Sequence, residues 1–162
     1  MKNNMYNLKP NFELTPIEAT AVAWAIAAEG SIHLSVTTHA NPKYHQTKGI
    51  QPLIEIANTK YEFLKILQDY IGGTIVARKM IWPNKPIWQL SISGIKDIYT
   101  LLKQIEPYLP IKKEQARLVM ELCILRTDKT TKEGTRKRIP YQDRVWEIVA
   151  EMKQLNKRGL RP

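Results

Sequence analysis

The sequence predicts an α+β fold: an αββαββα core whose four strands form one antiparallel sheet with helices on one face, followed by C-terminal helices. Three observations carry this expectation. Two S/T-x-x-E capping boxes, Thr15–Glu18 and Thr59–Glu62, each open a run with helical periodicity. Apolar and polar residues alternate at about 31–38, 50–57 and 87–93. Glycine and proline punctuate the runs at Gly30, Gly72-Gly73, Pro83, Pro107 and Pro110.

Thr15-Pro16-Ile17-Glu18 combines a capping box with proline at the first helical position, so a helix is expected from about 16 to 29, rich in alanine and stopped by Gly30. A first strand follows at about 31–38, where Ile32, Leu34 and Val36 alternate with Ser31, His33, Ser35 and Thr37. The polar stretch HANPKYHQTKG reads as a loop. A second strand at about 50–57 sets Ile50, Pro52, Ile54 and Ile56 against Gln51, Leu53 and Glu55. The second helix opens at Thr59-Lys60-Tyr61-Glu62 and ends at Gly72-Gly73. A third strand at about 74–81 turns through WPNKP into a fourth at 87–93, with Trp88, Leu90 and Ile92 on one face and Gln89, Ser91 and Ser93 on the other. Helices are expected at about 95–105 and 112–126. After the charged loop TDKTTKEGTRKR a last helix runs from Pro140 to Gly159.

The 162 residues are read as one domain, 1–162, with a core at about 14–126 and a basic C-terminal loop and helix at 127–162. No apolar run approaches the ~20 residues of a membrane span. MKNNMYNLKPNFEL has no signal-peptide core, so an intracellular location, cytoplasmic or organellar, is expected. The single cysteine, Cys123, lies in the apolar run RLVMELCIL and reads as an inert core residue. His33, His39 and His45 are too scattered for a metal triad, and no Gly-rich loop suggests nucleotide binding.

Net charge is +10. Residues 111–162 hold 14 Lys/Arg against 7 Asp/Glu, a net of +7, so the excess is concentrated towards the C-terminus. Such a surface suits a polyanion, and no basic helix offers a bulky apolar face for a membrane, so nucleic acid is the expected partner. The polar sheet face, with His33, Ser35, Thr37, Gln51, Glu55, Gln89, Ser91 and Ser93, is mostly uncharged. It carries the donors and acceptors that read base edges, although any antiparallel sheet has one wet face. Phosphate contacts are expected from Lys43, Lys48, Lys79 and Lys85, from Arg136-Lys137-Arg138 and from Lys157-Arg158. In the third strand either Arg78 or Lys79 faces the nucleic acid, depending on register, and Lys79 is the residue expected there.

Glu29 sets an electrostatic question. It ends the first helix, AVAWAIAAE, where uncapped carbonyls favour a cation by ~0.3–1 kcal/mol. An acid among such carbonyls is a set of hard oxygen donors for a divalent cation. Two such helix ends meeting on a symmetry axis would bring two carboxylates together. Small residues four apart, Ala21/Ala25 and Ala23/Ala27, would let the helices approach closely, although a plain alanine-rich core helix has the same spacing.

AVAWAIAAEGSI resembles the LAGLIDADG motif of the LAGLIDADG homing endonucleases, and the element order matches their core over roughly 14–125. Asn58-Thr59, Ile71-Gly72-Gly73 and PYLPIKKEQA at 107–116 look like further family landmarks. The resemblance implies a metal-dependent endodeoxyribonuclease whose open sheet face forms a DNA-binding saddle. Glu29 would bind Mg2+ with the backbone carbonyl of Ala28, Mn2+ or Ca2+ substituting in binding. Lys112 would be the lysine near the scissile phosphate, with Lys113 a one-residue alternative, and Asn58 the residue that orders active-site water. One motif per chain implies a homodimer, with Ala21, Trp24, Ala25 and Ala28 at the helix contact, acting on a long, near-palindromic duplex. No small-molecule substrate or membrane partner is implied. An intron RNA maturase or a non-cleaving sequence-specific DNA-binding protein would share the fold. The motif departs from the usual pattern at Trp24, where a small residue is common, at Ala27, which replaces an acid, and at Glu29, where Asp is frequent.

Overall fold

A computed structural model describes residues 8–9, 11–41, 44–78, 86–127 and 141–157. The chain runs α1 (Pro16–Glu29), β1 (Gly30–Asn41), β2 (Tyr44–Asn58), α2 (Tyr61–Ile71), β3 (Thr74–Ala77), β4 (Trp88–Ser93), α3 (Ile95–Ile105), a 3-10 turn (Glu106–Tyr108), α4 (Lys113–Thr127) and α5 (Asp143–Leu155). The strands form one antiparallel sheet in the order β1-β2-β4-β3. It is the α+β fold expected.

The core lies between the helices and one sheet face. Ile32, Ile50, Ile54, Ile56, Leu90 and Ile92 project from the strands into it, where they meet Leu64 and Leu67 of α2, Ile98, Leu101 and Leu102 of α3, Val119 and Leu122 of α4, and Ile148 of α5. Burying a residue of this size contributes ~1.5–3 kcal/mol, so the period-2 and period-3.6 stripes largely determine which face turns inward. Cys123 is buried among them, and burial pushes its thiol up to about 12, consistent with an inert core residue.

Four details differ from expectation, the simplest being that β3 ends at Ala77. The first hairpin is longer: β1 continues to Asn41 and β2 begins at Tyr44, so ladder pairing takes over most of HANPKYHQTKG. The second capping box does not form. Helix α2 has Lys60 at its N-cap with no side-chain cap, and the Asn58 side chain instead accepts from the Lys60 amide at 2.8 Å. The last helix is Asp143–Leu155, shorter than 140–159 at both ends. Lys43, Lys79, Trp82, Lys85, Arg136, Lys137, Arg138 and Arg158 lie outside the described residues.

Candidate nucleic-acid interface and candidate metal site at the end of α1

Helix α1 starts with its capping box in place. Thr15 accepts from the Glu18 amide, and the Glu18 carboxylate accepts from the Thr15 amide at 2.8 Å. Its alanines are buried at 19, 23, 25 and 27, which brings the helix close to the sheet. Close approach also explains Gly30. Its backbone is ordinary extended chain, but a Cβ there would stand 2.8 Å from Ile26 Cα and 3.2 Å from the Glu55 carbonyl oxygen. Glycine is therefore needed at this position for packing, not for φ.

The other side of α1 is uncovered. Ile17 is 82% and Trp24 58% exposed, with Ala21 and Ala28 exposed beside them, at spacings of four, three and four residues. Of the four residues expected at a helix contact, Ala21, Trp24 and Ala28 lie on this face, while Ala25 is buried in the chain's own core. Ile17 extends the stripe and was not singled out from sequence.

The stripe leads to Glu29, which is exposed and makes no hydrogen bond or ion pair with another described residue. The negative helix end beside it is met by a residue far along the chain. Lys112 Nζ donates to the carbonyls of Ile26 at 2.9 Å, Ala27 at 2.8 Å and Gly30 at 2.7 Å. Its backbone lies in the left-handed region at φ 67, a conformation an L residue adopts at a cost of ~1–2 kcal/mol. Burial holds the Lys112 ammonium below the ordinary lysine range, while three carbonyl dipoles pull the other way. Lys113, the one-residue alternative, instead reaches the Pro107 carbonyl at 3.4 Å.

Lys112 takes three carbonyls at this helix end but not that of Ala28. The Glu29 carboxylate and the Ala28 carbonyl are hard oxygen donors of the kind Mg2+ selects. One carboxylate is too few for an all-protein cage, but Mg2+ keeps several waters and takes one or two carboxylates with phosphate oxygens. The donor chemistry fits such an ion when a second chain and a phosphate complete it. Asn58 lies at the same sheet end: Gly30 pairs with Ile56, and Asn58 is two residues, roughly 7 Å, further along β2.

Away from the helices, the polar sheet face holds a connected set of side chains. Ser31 Oγ lies 3.2 Å from His33 Nδ1, and His33 Nε2 lies 3.6 Å from a Glu55 oxygen. Gln89 donates to Glu55 and to Ser91 Oγ and accepts from Arg78 Nε. Gln89 is only 9% and Ser91 5% exposed, so these two act as holders, and Arg78, Glu55 and His33 are the groups presented outward. Ser35 pairs across the ladder with Gln51, and Thr37 donates to the Gly49 carbonyl at 3.5 Å. Lys157 is exposed beyond α5. Arg78, the alternative to Lys79 that strand register leaves open, is exposed on this sheet, while Lys79 lies outside the described residues. The Gln89 partner of Arg78 stands eleven residues away on β4, and β3-β4 register, not propensity, brings them together.

No protein-family model matches the sequence, and no curated protein does. Solved structures do. The homing endonuclease I-CvuI, crystallised with a DNA target in Mg2+, is similar at TM-score 0.58 and 17% identity, over 85% of this chain and 95% of that one. The archaeal intron-encoded homing endonuclease I-Vdi141I, complexed with DNA, gives TM-score 0.67 and 18% identity over 90% of this chain and 87% of that one. The LAGLIDADG homing endonuclease I-SmaMI, bound to cleaved DNA, gives TM-score 0.60 and 20% identity, over 93% of this chain but 46% of that one. The chain has the fold of the LAGLIDADG homing endonucleases, as the motif resemblance implies. Among the described residues no helix is long and apolar enough to cross a membrane.

Proposed function

We propose that the protein is a site-specific endodeoxyribonuclease that works as a homodimer, hydrolysing one phosphodiester in each strand of a long, near-palindromic duplex with a divalent cation. The single observation that carries this reading is the end of α1. Glu29, whose carboxylate has no partner among the described residues, stands there at the tip of an exposed apolar helix stripe, while the Lys112 ammonium holds the carbonyls of Ile26, Ala27 and Gly30. An acid left free at a helix C-terminus has a use if a cation joins it to a second acid. The stripe is the surface through which a second copy of α1 would bring that acid. A chain that spans nearly all of I-CvuI but about half of I-SmaMI supports half a site per chain.

In the dimer, Glu29 from each subunit and the Ala28 carbonyl would hold Mg2+, with Mn2+ or Ca2+ substituting in binding. The bound ion would supply an activated water and neutralise charge on the leaving oxygen. Lys112 has spent its three protons on α1 carbonyls, so its contribution to the phosphate is positive potential and a fixed helix end, not a direct hydrogen bond. Asn58 has its amide oxygen on Lys60, and its NH2 group would orient water. Arg78, His33, Glu55, Ser35, Thr37 and Gln51 would meet base edges, with Gln89 and Ser91 orienting them, while Lys157 and the basic residues outside the described segments would contact phosphates. The reading carries with it the expectation of a gene placed within an intron and of an intracellular or organellar location.

The test is selection of a duplex from a random-sequence pool by the purified protein, followed by incubation with and without Mg2+. The reading predicts enrichment of a near-palindrome and cation-dependent cuts in both strands. Enrichment with no cutting under any divalent cation would favour a non-cleaving regulator. Retention of structured RNA with no enriched duplex would favour a maturase.

A further inference from the structure

The long β1-β2 hairpin extends well beyond β4, and its free edges are held by side chains from the C-terminal part of the chain. β4 pairs with β2 only from Leu53 to Asn58. Beyond that point the β4-side edge of β2 offers Pro52, which has no N–H, and Ile50. The Ile50 amide donates to Tyr141 Oη at 3.3 Å, and the Ile50 carbonyl accepts from Arg126 Nη1. The Arg126 guanidinium in turn stacks over the Tyr141 ring, 5.3 Å from its centre. The opposite edge is held as well. Val36 faces Ile50 and Ile32 faces Ile54, so the Ile32 backbone groups point outward from the sheet's terminal strand, where Asn156 Nδ2 donates to the Ile32 carbonyl at 3.0 Å.

Tyr141 and Asn156 flank α5, a 13-residue helix about 20 Å long that packs on α4 and β1 through Val145, Ile148, Val149 and Met152. The helix therefore crosses the hairpin as a brace, tied to backbone at each edge. Ser35, Thr37 and Gln51 stand on the hairpin's other face, where small changes of strand pitch move side chains relative to base edges. We propose that Arg126, Tyr141 and Asn156 are positioning residues for target recognition: by tying one hairpin edge to the end of α4 and the start of α5, and the other to the end of α5, they set the pitch at which the polar face meets DNA. This role rests on the DNA-reading function proposed above; the brace itself does not.

The experiment uses the full chain carrying Tyr141→Phe, which keeps the ring against Arg126, and the double variant Tyr141→Phe/Asn156→Ala. Amide hydrogen exchange in the free protein should quicken on the order of tenfold at Ile50, the change that loss of one hydrogen bond carries, while Leu101 and Leu102 in α3 keep their rates. For the double variant, the ratio of dissociation constants for a random duplex and for the duplex selected by the wild type should fall by about tenfold. That fall should come from weaker binding of the selected duplex alone. Unchanged exchange at Ile50 would overturn the brace. Faster exchange with undiminished discrimination would overturn the positioning role. If the wild type enriches no duplex, the DNA-reading function falls and the positioning role with it, and the exchange measurement decides the brace by itself.

Discussion

The Lys112 ammonium lies 2.7 Å from the Gly30 carbonyl, and with its contacts to Ile26 and Ala27 it closes the C-terminus of α1 from 82 residues along the chain. The negative end of α1 thus has a cation after all, supplied by the turn before α4 and not by the helix's own last turn. Glu29 takes no part in those contacts, and its exposed carboxylate has no partner among the described residues.

Removing the cap should be costly. Lys112→Ala leaves three carbonyls with poorer partners and is expected to lower unfolding free energy by about 1.5–3 kcal/mol in urea titrations. Lys112→Gly loses the same contacts but suits the left-handed backbone, so it should be less destabilised than the alanine variant by up to about 1 kcal/mol. Equal stability of the two variants would count against strain at this residue.

Gly30→Ala should be destabilising despite the helix-favouring chemistry of alanine. Its Cβ would meet backbone atoms of Ile26 and Glu55, which cannot rotate aside, so the helix end must shift from the sheet at a cost of roughly 1–3 kcal/mol. The shift should also weaken the Lys112 contacts, so Gly30→Ala and Lys112→Ala should be less than additive in a double-mutant cycle.

Trp24→Glu tests the exposed stripe. Trp24 is 58% exposed, so the variant should keep its far-UV spectrum and thermal transition at low concentration. In sedimentation velocity the wild type should run at twice 18.8 kDa and the variant as a monomer. A wild type that stays monomeric at concentrations that support cutting would remove the dimer from the account.

The acid limb of stability should carry a small signature from Arg144, which bonds Glu121 at 2.7 Å and also meets Glu147 and Glu151. The Arg144 hydrogen bond holds the Glu121 carboxyl below its ordinary 4.5, so the folded state binds fewer protons there than the unfolded state. The stabilisation is complete above pH 4.5 and is lost as pH falls through the folded value. Because both side chains are more than a third exposed and screened by water, Arg144→Met should have only a small effect on stability at neutral pH, and its difference from wild type should shrink in acid.

The parts legible in the sequence are those specified by neighbours in the chain. Ile98, Leu101, Leu102 and Ile105 mark the buried stripe of α3, and the helix bounds match the expected 95–105. Thr15 and Glu18 form the capping box their spacing announces. Thr59 and Glu62 have the same spacing, yet α2 begins after Lys60, because Asn58 at the end of β2 offers its side chain to the backbone first. The hairpin tip was illegible because its residues alternate no apolar face, and its pairing shows only in the ladder register. The contacts that bring Lys112 to the end of α1 are not legible in the sequence, because they span 86 and 85 residues and leave no local pattern. Arg126, Tyr141 and Asn156 escaped for the same reason, being single polar side chains aimed at distant backbone.

The most direct measurement is strand cutting by Glu29→Gln on the duplex that the wild type selects, in Mg2+, beside its binding in Ca2+. The account predicts dissociation constants within about threefold of wild type and cutting of neither strand above background. Wild-type cutting by Glu29→Gln would contradict it and remove the metal role from the end of α1.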